Sequence, residues 1–304
     1  MQPEQEAEIA AQRAEEARPT RRAVSEGMER HLYVPHRVLD HGFVRVIDYM
    51  GDDAAIVQAA RVSYGRGTRS VTSDAGLIRY LMRHWHSTPF EMCEVKLHVK
   101  LPIFVARQWI RHRMANVNEY SARYSILDRE FYVPEPSALA AQSQSNAQGR
   151  GEVLQGAEAE AALRMLREGP ARAFDDYEAL LSQDGQTGLA RELARTVLPA
   201  STYTQWYWKT DLHNLLNFLR LRADPHAQME IRAYADAIGA MVADWVPLTW
   251  AAFQDYRVGG AQLSAKGVAV LRRMLAGEEV GQAKSGMSKG EWREFMEVIA
   301  NGSK

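Results

Sequence analysis

Residues 93–102, CEVKLHVKLP, alternate between apolar and polar side chains. The apolar set is Val95, Leu97, Val99 and Leu101. The polar set between them is Glu94, Lys96, His98 and Lys100. A period of two places the two sets on opposite faces, so this stretch predicts a half-buried strand. Pro102 is then suited to the first turn of a helix, because its missing N–H would have no helical partner there.

Further strands and helices are predicted on both sides of this segment. Residues 42–51, GFVRVIDYMG, have the composition of a strand, and residues 52–65 predict a helix. Residues 201–210, STYTQWYWKT, alternate aromatic and polar side chains and predict a second strand. Asp211 is placed to cap a helix with a leucine-rich stripe, and a longer helical pattern begins at Pro225. The sequence therefore predicts an α+β fold.

The helix after Pro102 carries two distinct faces. Its predicted core stripe consists of Ile103, Ala106 and Ile110. The polar residues that share another face are Gln108, Arg111 and His112. We expect this helix to end by presenting its polar cluster where a loop, residues 114–125, begins.

The remaining segments are less regular. Residues 1–35 are rich in Glu, Arg and Ala, and we expect a charged, flexible N-terminal extension that contributes little to the core. The periodic elements fall within residues 36–260, apart from a low-complexity insertion at 137–160 that we interpret as a loop or linker. Residues 261–304 predict a helical C-terminal extension.

Composition limits the possible functions. The chain has 304 residues and a formal net charge of −1, so its overall charge does not favour binding to nucleic acid or to an anionic membrane. Its single cysteine, Cys93, excludes an internal disulfide and a cysteine-based zinc site. No apolar run has the length of a membrane span, and no signal peptide is evident, so we expect a cytoplasmic protein.

Residues 111–125, RHRMANVNEYSARYS, form what we call the arginine segment. One interpretation is a basic helix terminus, because cations favour the negative end of the helix dipole. A second is an RNA-binding patch in which Tyr120 and Tyr124 stack on bases, although the near-neutral chain argues against it. The third is an anion site: adjacent cations repel one another, Glu119 is the one carboxylate of the segment, and a phosphate would supply the missing charge.

Other residues suggest chemistry more weakly. His84, His86 and Glu91 are possible metal ligands, but a spacing of two points the histidines to different sides of a helix. Cys93 lies where a strand begins, where a small thiol usually packs. Ser121 lacks the G-x-S-x-G context of a hydrolase nucleophile.

Arg195 and Arg222 each end a predicted helix, and Arg222 lies at the margin of an apolar stripe. A buried arginine requires an anion or a carbonyl group as partner. That partner is either an internal carboxylate, such as Asp224 or Glu230, or an anionic ligand enclosed by the protein.

At this point the sequence resembles a known family. RHRMANVNEYS, residues 111–121, matches the RHR-x7-Ser signature of the flavin-dependent thymidylate synthases. The similarity continues in HWHSTPFE (84–91), LPIFVARQWIRHR (101–113), ARTVLP (194–199) and NFLRLRADPHAQMEI (217–231). It covers roughly residues 40–257 outside the insertion, and so many ordered motifs make it specific.

The resemblance implies an enzyme that converts dUMP to dTMP. It implies methylenetetrahydrofolate as the methylene donor and FAD, reduced by NADPH, as the source of hydride, without a cysteine nucleophile in the enzyme. It also implies an antiparallel sheet flanked by helices, within a catalytic domain spanning residues 36–260. Members are homotetramers whose active sites are shared between subunits.

The same resemblance assigns roles to individual residues. The implied catalytic residue is Arg222, which would polarise the uracil and favour its ionisation at N3. The implied cofactor-binding residues are His86, Thr88, Arg111, His112, Arg113, Glu119, Asp211, His213, Asn217 and His226. The implied dUMP-binding residues are Gln108, Arg111, Glu119, Ser121, Arg123, Arg195 and Arg222.

One of these positions departs from the family pattern. Asp211 stands where some members have asparagine at the FAD site. A carboxylate still accepts a hydrogen bond there, but it repels a nearby phosphate. Two rival functions also remain open on the sequence alone: RNA binding by the same arginines, and a flavoprotein that oxidises NADPH without folate chemistry.

Overall fold

The computed structural model describes residues 3–14, 20–62, 73–143, 149–181 and 188–300. Its strands are β1 His36–Val38, β2 Gly42–Met50, β3 Glu94–Pro102, β4 Asn116–Glu119, β5 Ala140–Gln142, β6 Arg150–Val153 and β7 Tyr203–Asp211. Its helices in the first half are α1 Pro3–Ala14, α2 Glu26–Glu29, α3 Asp53–Val62, α4 Asp74–Arg83, α5 Thr88–Glu91 and α6 Ile103–Trp109. Those of the second half are α7 Gly156–Leu180, α8 Arg191–Ala194, α9 Leu212–Arg222, α10 Met229–Trp245, α11 Pro247–Phe253, α12 Ala265–Leu275, α13 Gln282–Ser285 and α14 Lys289–Ala300.

An antiparallel five-stranded sheet forms the centre, in the order β1-β2-β3-β7-β4. Strands β3 and β7 pair without interruption from Glu94 opposite Asp211 to Pro102 opposite Tyr203. Both were predicted from their alternation, and the α+β fold with helices flanking an antiparallel sheet is confirmed. Because β3 and β7 lie at the middle of the sheet, each element that follows them in sequence starts from a fixed position.

The apolar face of the sheet packs against helices, and aromatic side chains fill the space between them. Trp109 at the end of α6 lies 5.6 Å from Trp206 and 5.4 Å from Trp208, measured between ring centroids. Phe218 of α9 is closer still, at 4.6 Å from the Trp109 ring. All four side chains are fully buried, and replacing one such tryptophan by alanine costs about 3–5 kcal/mol.

The buried face of α6 differs from the prediction. Val105, Ala106 and Trp109 are buried, whereas Ile110 is 38% exposed and Ile103 is only partly covered. The expected stripe is therefore wrong except at Ala106. The spacing alone does not fix which side of a seven-residue helix faces inward, and the large Trp109 ring decides it by joining the aromatic cluster.

The face of the sheet predicted to be exposed is covered over β2 and β3. Arg45 is 2% exposed; its Nε donates to His98 Nδ1 at 2.9 Å, and one of its terminal nitrogens donates to Gln12 of α1 at 3.2 Å. Lys100 is 1% exposed and forms an ion pair with Glu130. The alternation correctly gave the two faces, but the polar one is buried at these positions because charged partners from elsewhere in the chain cover it.

The N-terminal segment contributes more to the core than expected. Ile9 of α1 is buried, and Met28 of α2, 1% exposed, belongs to the main hydrophobic core. The expectation of little core contribution from this segment is therefore wrong at these two positions. Residues 15–19 lie outside the described part of the chain.

Two further segments predicted as loops contain strands. Asn116–Glu119, inside the arginine segment, is the edge strand β4 and pairs with β7. In the insertion, β5 and β6 form an antiparallel hairpin, and α7 begins at Gly156. Both segments are polar, so their sequences carry no apolar alternation, and their strand structure depends on backbone pairing with a partner.

His98 makes stability depend on pH. Arg45 is only a donor, so His98 Nδ1 must accept, and the ring proton sits on Nε2 against Gln205 Oε1 at 2.9 Å. Burial, reinforced by the Arg45 charge, lowers the pKa of His98 to about 4. The unfolded chain therefore binds more protons below pH 6.5, and the stability contributed by the neutral ring, full above that pH, is lost progressively toward pH 4.

We predict that lowering the pH from 7.5 to 5 costs about 2 kcal/mol of unfolding free energy through His98 alone. His98→Gln keeps a neutral acceptor for Arg45 and should remove that part of the pH dependence. Urea unfolding midpoints at the two pH values measure the effect, with His84→Gln, which removes an exposed imidazole, as the control. Equal pH dependence in the wild type and His98→Gln would contradict the assignment.

Candidate active site

Helix α9 carries the central residue of the site. Asp211 caps the helix, accepting a hydrogen bond from the Asn214 backbone N–H at 2.9 Å, and the helix ends at Arg222. Its apolar stripe is buried at Leu212, Leu215, Leu216 and Leu219. Because these leucines fix the rotation of the helix about its axis, Arg222 is placed at the edge of the packed face, next to the turn that leads into α10.

A cavity of 1380 Å³ opens at this turn, bounded by α9, α10, α11 and the β5–β6 hairpin. We call it the Arg222 cavity. The arginines that line it are Arg150, Arg220, Arg222, Arg232 and Arg257. The carboxylates that line it are Asp224 and Asp236. Cations thus outnumber carboxylates among its described residues, and a chain with a net charge of −1 concentrates positive charge in one place.

Arg222 has unused hydrogen-bonding capacity in this cavity. One of its terminal nitrogens lies 3.5 Å from the Gln108 backbone oxygen, a long contact. Its Nε is buried with no hydrogen-bond partner among the described residues, and the same holds for Gln108 Oε1. Burial lowers the pKa of Arg222, yet a guanidinium still stays charged at neutral pH. An anion with a polar edge would satisfy these atoms.

The internal ion pairs considered from sequence go to other partners. Glu230 pairs with Arg150, and Asp224 Oδ1 accepts a hydrogen bond from the His226 backbone N–H at 2.8 Å. Arg222 is therefore left to face the cavity.

His112 stands beside Arg222 and is held by aromatic rings. Its ring centroid lies 5.6 Å from Phe218 and 6.3 Å from Trp208, and the residue is 9% exposed. Burial lowers the pKa of His112, and the nearby Arg222 charge lowers it further, while Asp211 opposes both effects. Its Nε2 has no hydrogen-bond partner in the described part of the chain, so it too is available to a ligand.

Most of the other residues of the arginine segment lie on the surface of this single chain. Arg111 and Arg113 are exposed. Glu119 accepts a hydrogen bond from Thr204 Oγ1 at 2.8 Å, Ser121 Oγ accepts one from the Arg123 backbone N–H at 3.3 Å, and the Arg123 side chain pairs with Glu192 at 3.1 Å. Arg195 is exposed in the 3₁₀ turn Arg195–Val197.

Other predicted residues lie around the cavity or on exposed loops. His226 lines the cavity, and Asn217 accepts a hydrogen bond from Arg220 at 3.4 Å. His213 is partly buried on α9, while His86 and Thr88 are exposed. The His86 loop still adjoins the cavity, because the guanidinium of the cavity residue Arg257 lies over the ring of Trp85 at 3.3 Å from its centroid.

Sequence reasoning missed four arginines as functional candidates. Arg220, Arg232 and Arg257 lie on helical segments near Arg222. The first two could have been noticed in the sequence, because both lie within ten residues of Arg222, on the helices that flank the turn between α9 and α10. Arg150 gave no signal, because it lies in the low-complexity insertion and reaches the cavity only through the hairpin.

Cys93 has a packing role. It is fully buried, and a Cβ added at Gly51, whose φ of +84° suits glycine, would lie 2.7 Å from its sulfur. Burial, with Asp52 and Asp53 nearby, raises the pKa of the Cys93 thiol to about 12. The thiol is therefore protonated at neutral pH and is not a nucleophile.

Known proteins resemble this chain over most of its length. Residues 45–248 match the family model described as thymidylate synthase complementing protein. A flavin-dependent thymidylate synthase of Ruegeria pomeroyi is 71% identical over 97% of this chain and 98% of its own length. The chain belongs to the flavin-dependent thymidylate synthase family. The corresponding protein of Gluconobacter oxydans is 62% identical over 99% of this chain and 98% of its own length.

A solved structure is similar as well. The UMP/dUMP methylase PolB of Streptomyces cacaoi, bound with 5-Br UMP, has a TM-score of 0.65 and 35% identity, covering 73% of this chain and 98% of its own. The function of a flavin-dependent thymidylate synthase is the conversion of dUMP to dTMP with FAD as cofactor, and this chain performs it. Within the described residues no helix is long and apolar enough to cross a membrane.

The residues around the cavity fit a flavin dinucleotide. Its two phosphates need cations, which the cavity residues Arg220, Arg232 and Arg257 supply, and its polar ring edges need donors and acceptors. The buried Nε2 of His112 has that capacity unused within the described structure. The geometry of Asp211 is compatible with a bound flavin, because both of its carboxylate oxygens accept hydrogen bonds from Asn214, one from the backbone N–H and one from the side chain.

We predict that Asp211→Asn tightens FAD binding, because it removes a negative charge while keeping a cap for α9. Asp211→Ala loses the cap and should lower stability by about 1 kcal/mol. Thermal melts and the flavin dissociation constant of each variant measure these effects. Ser264→Ala, which removes the cap of α12, controls for cap loss elsewhere. Weaker FAD binding by Asp211→Asn would mean that the carboxylate itself supports the cofactor.

Proposed function

We propose that this enzyme binds dUMP in the Arg222 cavity, with the uracil against Arg222 and Gln108. The observation that carries the proposal is the partly buried Arg222 guanidinium, whose Nε has no described partner, beside the equally unpaired Gln108 Oε1. A uracil edge offers carbonyl oxygens and an N3–H, which match a guanidinium donor and an amide acceptor. Binding the nucleotide would thereby satisfy both buried groups.

Arg222 is the proposed catalytic residue. A guanidinium beside a uracil carbonyl stabilises negative charge on the ring and so favours loss of the N3 proton. The ionised ring has more electron density at C5, the carbon that carries the methyl group in dTMP. Partial exclusion of water at Arg222 strengthens the interaction, because electrostatic energies rise as the local dielectric falls.

The remaining dUMP contacts are proposed from their positions in the family motifs. The residues are Arg111, Glu119, Ser121, Arg123 and Arg195. Cations among them suit the phosphate, and exposure of Arg195 and Arg111 leaves their guanidinium groups available. The single chain does not bring Arg195 to Arg222 through any contact between described residues, which supports a site completed by more than one subunit.

FAD, when bound, supplies the hydride that converts the transferred methylene into a methyl group. The residues proposed to hold it are His86, Thr88, Arg111, His112, Arg113, Glu119, Asp211, His213, Asn217 and His226. Of these, His112 contributes a neutral imidazole fixed between aromatic rings, which suits a hydrogen bond to the cofactor better than an ionic contact. Arg111 and Arg113 contribute exposed charge suited to phosphates.

The burial and protonation of the Cys93 thiol are consistent with carbon transfer that uses no enzyme nucleophile. Its thiol is buried and protonated, so no thiolate is available to add to the uracil ring. In this proposal dUMP is therefore activated by Arg222, which stabilises negative charge on the uracil ring. Methylenetetrahydrofolate as the methylene donor and NADPH as the reductant of the flavin belong to the same proposal.

A homotetramer with shared active sites is also proposed. Exposed Arg111, Arg113, Arg195 and His86 are functional residues in the family motifs, and a neighbouring subunit would give them a common ligand.

The organisation into an N-terminal extension (1–35), a catalytic domain (36–260, with the insertion at 137–160) and a C-terminal extension (261–304) is proposed as well. The family match at 45–248 falls within the middle part. A cytoplasmic location stays a prediction from the sequence.

The test is dTMP formation by Arg222 variants. We expect Arg222→Ala to lower the rate with saturating dUMP by about 100-fold or more, the usual effect of removing one charge-stabilising donor. Arg222→Lys keeps the charge but loses the planar donor geometry, and should recover only part of the rate. Product is measured by chromatography after incubation with FAD, NADPH and methylenetetrahydrofolate.

Arg129→Met is the matched control, since Arg129 pairs with Asp175 and Glu178 on the exposed side of α7 and does not line the cavity. It should retain the wild-type rate. An Arg222→Ala enzyme that forms dTMP at the normal rate would remove Arg222 from the catalytic role. NADPH oxidation by the wild type without any dTMP would overturn the folate chemistry while leaving flavin binding intact.

A further inference from the structure

The β5–β6 hairpin meets α10 through one ion pair. A terminal nitrogen of Arg150 donates to Glu230 Oε1 at 2.5 Å, and the other donates to the Ala138 carbonyl at 2.9 Å. Arg150 is thus tied both to the base of its own hairpin and to the first turn of α10. We call the Arg150–Glu230 pair the clamp.

The α10 side of the clamp is deeply buried. Glu230 is 4% exposed, and its Oε1 also accepts a hydrogen bond from the Tyr132 hydroxyl at 3.3 Å. A buried carboxylate without a cation would be costly, so Glu230 requires Arg150. Glu230 thereby gives the hairpin a fixed attachment point that a surface ion pair would not provide.

The clamp lies next to the catalytic turn. Glu230 follows His226 by four residues and Arg222 by eight; Arg222 ends α9, and His226 lies in the turn between α9 and α10. Ser143, Gly149 and Arg150 of the hairpin line the same cavity as Arg222 and His226. Among the described residues, the one hydrogen bond of the Arg222 side chain is the long contact to Gln108, so its direction depends on where the ends of α9 and α10 are held.

We propose that Arg150 is a positioning residue of the active site, which acts through Glu230 to hold the turn between α9 and α10 and so direct Arg222 into the cavity. This rests on the proposed role of the Arg222 cavity in dUMP binding. The hairpin, on this account, is a part of the active site contributed by the insertion. Arg150 acts by position because Glu230 already neutralises its charge, which leaves little net attraction for a second anion.

The proposal is tested by a double-mutant cycle on dUMP affinity, measured with the full-length, FAD-loaded enzyme by titration of the flavin spectrum or by calorimetry. The clamp variant is Arg150→Met with Glu230→Gln, which removes the pair without leaving a buried charge unpaired. We expect it to weaken dUMP binding about tenfold when Arg222 is present and less than twofold in the Arg222→Ala background. Such coupling means that the clamp acts through Arg222.

The matched control is Arg129→Met with Asp175→Asn, which removes an exposed ion pair away from the cavity. It should leave dUMP affinity unchanged in both backgrounds. Equal weakening by the clamp variant with and without Arg222 would overturn the proposal in favour of a direct ligand contact or a general structural role. Unchanged affinity in both backgrounds would overturn it as well.

Arg150→Lys covers the case in which the clamp variant does not fold. Lysine keeps a cation opposite Glu230 but cannot bridge to the Ala138 carbonyl at the same time, so we expect intermediate dUMP affinity, again only when Arg222 is present. Affinity equal to the wild type would overturn the bridging role. Binding is measured without turnover, so a normal rate of dTMP formation by Arg222→Ala would refute the proposed catalytic role of Arg222 and leave the clamp testable through dUMP affinity.

Discussion

The packing of Trp109 against three other aromatic rings determines where the residues of the candidate active site lie. Trp109 ends α6, and its ring contacts Trp206 and Trp208 of the central strand β7 and Phe218 of α9. The arginine segment begins two residues after it, and Arg222 lies one turn after Phe218 on the same helix. One buried cluster therefore fixes two segments that are about a hundred residues apart in sequence, and His112 rests on the same rings. Interiors of this density resist displacement, which a site built from separate helix ends requires.

The sequence predicts those helices and strands whose own residues form a recognisable local pattern, and it does not predict the others. Strands β3 and β7 and the cap of α9 are encoded locally, by alternation and by Asp211, and they appear as expected. The edge strand β4 is polar and fully exposed, and it becomes a strand only because β7 offers backbone partners some ninety residues later. The inward face of α6 is likewise decided by aromatic rings on other elements. Such features depend on tertiary contacts that no local pattern records.

The site was predictable to a similar extent. Gln108, His112, Arg222 and His226, singled out from motifs, come together around one cavity or directly beside it. The sequence does not predict which of their polar atoms lack a hydrogen-bond partner among the described residues. That Arg222 Nε and Gln108 Oε1 lack one depends on how the side chains pack and not on residue type. The same holds for Arg150, which a low-complexity sequence brings to the cavity only after a hairpin forms. Positive charge in the cavity therefore comes from separate elements, while the chain as a whole stays nearly neutral.

The two buried ion pairs Lys100–Glu130 and Arg150–Glu230 are better explained by the positions they fix than by a gain in stability. Lys100 with Glu130, and Arg150 with Glu230, each place at least one almost fully buried ionic group where an apolar pair of similar volume would be as stable or more so. Apolar contacts, however, tolerate sliding and rotation, whereas a carboxylate that must meet a guanidinium or ammonium group permits few arrangements. Within the described part of the chain, Arg222 makes one long hydrogen bond and no ion pair. The Arg222 guanidinium is proposed to act on the substrate, and we infer that directional contacts of neighbouring residues hold its backbone at some cost in stability.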